Sequence, residues 1–458
     1  MDGLNIPRLV LAGVSSGVGK TTATVGLCRA LRARGLKVAL FKCGPDYLDP
    51  TYHQRASGTV SHNLDGWLMG RTAALGTFAR AAAGADIAIV EGVMGLFDGA
   101  SPTGDEGSTA EMAKWLAAPV ALLVDASGMA RSVAALVAGF AGFDPALLIA
   151  AVIANRVGSR GHLDLLRKAL KNPPILGGLP RAEGHAFASR HLGLRTADRQ
   201  AVPDALFDAW GALVTEWWNV DALLETARAA PALSIERPAV PHAGRSHCRI
   251  GLAFDEGFHF YYEDNLSRLT ALGAELVRFS PVHDQRLPDV DGLYLGGGYP
   301  EVHAPALAAN GTMLDDIRAF ARGGRPVYAE CGGLMYLSEA IRTLDGQRHL
   351  MAGLVPGEAV MSDKLEALGY VEVETQATTC LGGAGLRFRG HQFRYSSLAS
   401  TAGERVYSVR RRRGGETFAE GYRAGSVVAS YVHAHWASNP LVAEGFVRSC
   451  ANARSRPA

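Results

Sequence analysis

Paired cysteines are what this chain lacks first: its six, Cys28, Cys43, Cys248, Cys331, Cys380 and Cys450, are scattered and form no CxxC motif. A disulfide framework and a structural zinc site are therefore not indicated, and a reducing compartment is the simplest expectation. An excess of charge is also missing, since 46 Lys plus Arg against 44 Asp plus Glu leave a formal net charge of +2. No basic surface for nucleic acid is expected. Long apolar runs are absent too. The longest, Pro145 to Val157, is interrupted by Asn155 and Arg156 and is too short to span a bilayer. After Met1 the chain enters the strand-like run beginning at Arg8 without the charged and apolar regions of a signal peptide. A cytoplasmic protein with no membrane partner is expected.

What is present is an ordinary globular composition, 48% hydrophobic and 20% charged over 458 residues, with room for two or three cores. The strongest break is Ala229 to His247, where three prolines interrupt any periodicity. The expected organisation is a domain over 1–232, a linker over 233–247 and a domain over 248–458. Upstream of the break, short apolar runs at Leu9 to Val14, Val38 to Lys42, Ile87 to Glu91, Val120 to Val124 and Leu148 to Ile153 alternate with longer helical patterns. That spacing predicts a parallel sheet with helices on both faces, an α/β fold. Downstream the same alternation restarts at Arg249 and turns β-rich after Gly353, with strands expected over Tyr370 to Thr375, Arg405 to Arg410 and Val427 to His433.

The segment Gly13-Val-Ser-Ser-Gly-Val-Gly19-Lys20-Thr21-Thr22 follows a strand and opens a helix, as a phosphate-binding loop of the P-loop NTPase type requires. Glycines at 13, 17 and 19 let backbone N–H groups and Ser16 approach phosphate oxygens. Lys20 neutralises charge, Thr21 can ligate Mg²⁺, and Thr22 completes the motif. ATP and Mg²⁺ are the expected ligands. Val14 stands where the common form has its first glycine, which selects a subclass resembling dethiobiotin synthetase. Lys42, Asp46, Glu91 and Asn155 fall at other strand ends, where open α/β sheets bind ligands. Lys42 is placed near the phosphates, and Asp46 and Glu91 beside Thr21 at the metal. Asn155 suits either a base edge or a cap on the next turn.

A second chemistry sits downstream. Pro326-Val-Tyr-Ala-Glu-Cys331-Gly332-Gly333 reads as strand, sharp turn and helix, lifting the sulfur above a helix dipole that favours thiolate. N–H groups of Gly332 and of the Gly296-Gly297-Gly298 turn can form an oxyanion hole. His433 falls at a later strand end and supplies a base. Alone, such a cysteine or histidine would read as core; in this order they read as a site. A phosphate loop that activates an acid and a thiol that dismantles an amide together imply a glutamine-dependent amide synthetase.

Over essentially its whole length the chain resembles the cobyrinic acid and hydrogenobyrinic acid a,c-diamide synthases, a dethiobiotin-synthetase-like domain joined to a class I glutamine amidotransferase-like α/β domain. The motifs carrying the resemblance are the Gly13 to Thr22 loop, Pro45-Asp-Tyr-Leu-Asp-Pro50, Val90-Glu-Gly-Val-Met-Gly-Leu-Phe-Asp-Gly99, Phe258 to Leu266, Gly296-Gly-Gly-Tyr-Pro-Glu301, Glu330-Cys-Gly-Gly-Leu-Met-Tyr336, Gly390-His-Gln-Phe-Arg-Tyr-Ser396 and Tyr431-Val-His433. The resemblance implies that Cys331 and His433 release ammonia from L-glutamine, that Lys20 and Lys42 bind phosphate, and that Thr21, Asp46 and Glu91 surround Mg²⁺. Tyr47, Leu48 and Asp98 are implied at the acetate end of a corrin-type tetrapyrrole. Ammonia is implied to pass from one domain to the other and displace phosphate from an activated acetate. Nickel-sirohydrochlorin a,c-diamide synthase is the alternative of the same chemistry, and a homodimer is left open. Two positions depart from other class I amidotransferases: Ala329 replaces a usual glycine, and His435 a common Glu. A Cys-His pair with some other orienting group is expected.

Overall fold

The computed structural model describes residues 2–181, 202–235, 247–400 and 402–455. The chain divides into two compact units, Met1–Pro238 and Ala239–Ala458. Of the expected linker, 236–246 lie outside the described residues, and Leu233–Ile235 at its head is a strand paired antiparallel with Asp2–Leu4. No described helix is long and apolar enough to cross a membrane.

In the first unit, seven strands form one parallel sheet in the order His62–Leu64, Val38–Cys43, Ile87–Glu91, Arg8–Gly13, Val120–Asp125, Ile149–Val157, Ile175–Pro180. The runs are apolar on both sides because helices cover both faces, and every residue of Arg8–Gly13, Val38–Cys43 and Ile87–Glu91 is buried. Order reverses at the central strand Arg8–Gly13, so the loops after Gly13, Cys43 and Glu91 share the carboxyl end of the switch point. Arg8 is fully buried yet satisfied: its guanidinium donates to the carbonyls of Ile6, Leu116, Ala117 and Pro231. It thereby ties the first strand to the end of the unit.

The second unit is built on a ten-stranded mixed sheet. Ala274–Phe279, Cys248–Ala253, Gly292–Leu295, Val327–Glu330 and Val427–Ser430 run parallel in that order. The antiparallel part continues through Thr417–Ala424, Glu404–Arg411, Ala367–Thr375, Arg387–Arg394 and His433–His435. Here the structure corrects one expectation, because Val427 to His433 is two strands rather than one. The Ser430 hydroxyl accepts from the Val432 amide at 2.9 Å and Glu420 accepts from the Tyr431 amide at 2.7 Å, so the chain leaves the first ladder at Ser430. His433 then pairs with His391 at the far edge of the sheet. A four-stranded satellite, Arg348–Leu350, Ser338–Arg342, Val355–Met361 and Ser396–Ala399, packs beside it.

Candidate active site

The phosphate loop owes its shape to two features of sequence. Gly19 lies at φ +94 as cap of the helix Lys20–Ala33, and a Cβ there would stand 2.4 Å from Asn155 Nδ2. Asn155 itself lies within the strand Ile149–Val157 and donates from Nδ2 to the Val18 carbonyl at 2.7 Å, so its amide braces the loop. Lys20 is buried and its ammonium donates to the carbonyls of Ser15 and Met94, at 3.0 and 2.5 Å. Met94, at φ +48, is one of few non-glycine residues in the left-handed region. That strain sits in the loop that follows Glu91.

Behind the loop is a buried polar cluster. Thr21 Oγ1 donates to Glu91 Oε1 at 2.8 Å and lies 3.1 Å from Asp49 Oδ1. Lys42 Nζ bridges Asp49 Oδ2 at 2.6 Å and Glu91 Oε1 at 2.8 Å, while Glu91 Oε2 meets His53 Nε2 at 2.6 Å. Burial alone would lower the Lys42 pKa, but Asp49, Glu91 and Asp46 together hold it above its ordinary value. Burial likewise opposes ionisation of Glu91, and Lys42 and His53 outweigh it to hold the carboxyl below the usual range. The pair is thus charged in the free protein.

Of the two acids in the Pro45 to Pro50 motif, Asp49 touches Thr21 and Lys42 directly, whereas Asp46, the acid expected here from sequence, acts on Lys42 only through its charge. Asp46 Oδ1 accepts from the amides of Leu48 and Asp49, at 2.8 and 2.9 Å, and starts the helix Asp49–Ser57. His53, one turn on, was missed because a lone histidine in a helix carries no signal. Tyr47 and Leu48 are half-buried beside this helix start. Asp98 is exposed, and its Oδ2 accepts from the Gly95 amide at 2.8 Å, folding the loop after Glu91 back on itself. The oxygen donors Thr21, Asp49 and Glu91 fit a hard divalent cation. Among the described residues no three His, Cys, Asp or Glu are arranged to hold a metal unaided.

In the second unit Cys331 occupies the elbow, at φ +46 and ψ −100, between the strand Val327–Glu330 and the helix Gly332–Leu337. Its amide donates to the Ser430 carbonyl at 2.7 Å, which sets Cys331 against the segment leading to His433. Glycines are needed around it. A Cβ on Gly332 would lie 3.0 Å from Gly298 N, one on Gly298 would lie 2.0 Å from the Gly257 carbonyl, and one on Gly297 would lie 2.4 Å from His433 Cε1. Gly298 and Gly332 therefore approach backbone to backbone beside the thiol, while the Gly297 carbonyl accepts from the amides of His259 and Phe260 at 3.0 Å each.

The expected thiolate is not favoured in the free protein. Burial, then the charge of Glu301, push the Cys331 thiol up to about 12 against the opposing charge of Arg394. Six residues of helix are too short a dipole to overcome that. Burial also lowers His433 to about 3, so the pair rests as neutral thiol and neutral imidazole. The His433 ring stacks on His391 with centroids 5.0 Å apart, and His391 Nδ1 meets the Tyr262 hydroxyl at 2.8 Å. His435 Nδ1 instead accepts from the Ala437 amide at 3.3 Å. Sequence reasoning did not single out His391, Tyr262 or Glu330 as working residues, although each lies inside a motif it quoted.

Comparison with known proteins agrees with both halves. The model for the CobQ/CobB/MinD/ParA nucleotide binding domain matches residues 9–192, and that for the CobB/CobQ-like glutamine amidotransferase domain matches residues 249–441. A Leptospira interrogans protein called cobyrinate a,c-diamide synthase is 53% identical over 450 residues, covering 98% of this chain and 99% of that one. Relatives of the same name from Syntrophotalea carbinolica and Listeria monocytogenes are 51% and 40% identical, covering 98% and 94% of this chain and 99% and 97% of theirs. These names do not favour the nickel-sirohydrochlorin alternative.

Proposed function

Because this chain belongs to the cobyrinate a,c-diamide synthase family, and is thus a glutamine-dependent ligase, we propose that it converts the a and c acetate side chains of cobyrinate, or its cobalt-free counterpart, to amides with ATP and L-glutamine. The observation that carries the reading is the strained Cys331 elbow in a chain whose other unit holds a glycine-forced phosphate loop.

In the second unit the Cys331 proton passes to a ring nitrogen of His433 as sulfur attacks the glutamine side-chain carbonyl. The N–H groups of Gly298 and Gly332 receive the developing oxyanion, with Gly297 supplying the turn. His433 then protonates the leaving nitrogen, ammonia departs, and water releases glutamate from the thioester. A thiol held neutral until substrate arrives limits side reactions of sulfur.

In the first unit the Gly13 to Thr22 loop, with Ser16, Gly17, Gly19 and Lys20, binds the ATP phosphates, and Asn155 holds the loop. Lys42 lies against the acids and neutralises charge as the acetate takes the γ-phosphoryl group. Mg²⁺ would be held by Thr21, Glu91 and, in place of Asp46, Asp49, and would neutralise phosphate charge there. Tyr47, Leu48 and Asp98 shape the acetate end. Phosphorylation overcomes the poor electrophilicity of the carboxylate by giving it a leaving group, and ammonia then displaces phosphate from the acyl phosphate. The test is incubation with ATP, glutamine and each tetrapyrrole diacid, counting carboxylate-to-amide conversions by mass. Two conversions on a corrin-type substrate support the reading, and none on either overturns it.

A further inference from the structure

The thiol of Cys331 feels two opposite charges that the chemistry above leaves without work. Glu301 raises it and Arg394 lowers it, and they are the first two charged residues to act on it once burial is counted. Glu301 follows Pro300, whose ring packs on the residue after the nucleophile: a Cβ on Gly332 would lie 3.0 Å from Pro300 Cδ. Arg394 comes from a different element, the strand Arg387–Arg394, and its guanidinium carbon stands 4.5 Å from the ring centre of Tyr431, two residues before His433.

Neither charge is used up by the protein. Among the described residues Arg394 makes no ion pair; it donates to the Ser396 carbonyl, and its buried Nε has no partner. The nearby Glu420 does not claim it by hydrogen bond, because its oxygens accept from the Ser430 hydroxyl and the Tyr431 amide. Glu301 is half-buried, and burial pushes its carboxyl up to about 7 with only its own backbone amide to oppose this. Two partly desolvated, unpaired groups of opposite sign are costly unless something bridges them.

A free amino acid carries one anion and one cation on the same carbon. We propose that Arg394 binds the α-carboxylate and Glu301 the α-ammonium of glutamine, so that this pair of charges selects the free amino acid and sets its side-chain amide on Cys331. This rests on the reading of the second unit as a glutaminase. Charge-assisted hydrogen bonds of this type lose their worth when either partner is removed. Arg394 and Glu301 therefore act chiefly on binding.

The test is ammonia release by the full chain from glutamine, from glutaramate, which lacks the ammonium, and from 4-aminobutanamide, which lacks the carboxylate. For Glu301→Gln, kcat/KM on glutamine should fall by about tenfold or more, chiefly through KM, while that on glutaramate is nearly unchanged. For Arg394→Gln the same should hold with 4-aminobutanamide as the insensitive substrate, and Arg394→Lys should recover part of the loss. Alkylation of Cys331 by neutral iodoacetamide should run faster than wild type in Glu301→Gln and slower in Arg394→Gln, as the charge removed dictates, while remaining proportional to hydroxide in both, which shows an intact elbow. Equal losses on all three amides would overturn the recognition alone. Wild-type protein that released no ammonia from glutamine would overturn the glutaminase reading, and the recognition with it.

Discussion

The Glu330 carboxylate accepts a hydrogen bond from the Ala434 amide at 3.0 Å, joining residues 104 positions apart. The first is next to Cys331 and the second next to His433. Two tyrosines complete its shell, Tyr328 donating at 2.8 Å and Tyr294 at 3.0 Å. Tyr294 and Tyr328 in turn pack on Trp436, with centroids at 5.3 and 5.8 Å. The acid thus pins the His433–His435 strand to the Cys331 elbow from inside an aromatic core.

That location has a pH signature. Burial raises Glu330 from 4.5 to about 7, against the hydrogen bonds that lower it. The folded state then holds the proton more tightly than the unfolded chain, so stability falls as pH rises from about 4.5 to about 7 and is flat above. The penalty above that window is on the order of 3 kcal/mol. Glu330→Gln should remove it. Denaturation followed by hydrogen exchange of the Val327–Glu330 and His433–His435 strands should show the variant the more stable at about pH 8, with the difference gone by about pH 4. A pH-independent difference would refute this.

The resting state of Cys331 is open to direct chemical test. With the thiol pushed up to about 12, iodoacetamide should react in proportion to hydroxide from about pH 6 to about pH 9 without a plateau. A plateau below about pH 8 would mean a stable thiolate-imidazolium pair and contradict the neutral one.

Gly19→Ala should separate the two activities. The substitution places a methyl group on a residue at φ +94 and 2.4 Å from Asn155 Nδ2. Nucleotide affinity should drop by about tenfold or more, while ammonia release from glutamine stays near wild type. Adding Asn155→Ala relieves the contact without restoring the brace on Val18, so recovery should be partial.

The acids behind the phosphate loop need their cation to stay folded. Lys42→Met leaves Asp49 and Glu91 buried without their shared ammonium. Breaking such an arrangement costs about 3–5 kcal/mol. The first unit should melt well below its wild-type temperature, and raising nucleotide concentration should not restore it. A shift of less than about 1 kcal/mol would show Lys42 to be dispensable for folding.

Much of this was legible in the chain because the chemistry dictates local backbone. A phosphate loop needs Gly19, and an elbow needs Gly332 and Gly333, so these show as spacing. Strand runs such as Val38–Cys43 showed because both sides are buried. What stayed hidden depends on distant pairing. Asp46 and Asp49 share one motif, and only the local turn decides which accepts from backbone amides and which joins Lys42. The split at Ser430 depends on Glu420, a strand away, and the stacking of His391 on His433 depends on sheet register. Periodicity carries none of that information.

The central claim is that nitrogen freed at Cys331 is consumed by an ATP-activated acid elsewhere in the same chain. The most direct measurement follows amide-labelled glutamine into the tetrapyrrole while ADP and glutamate are counted, in wild type and in Cys331→Ala. The account predicts one ADP and one glutamate per amide, label in both amides, and a variant that forms them only from free ammonia. ADP formed out of step with glutamate, or a Cys331→Ala variant that still uses glutamine, would contradict it.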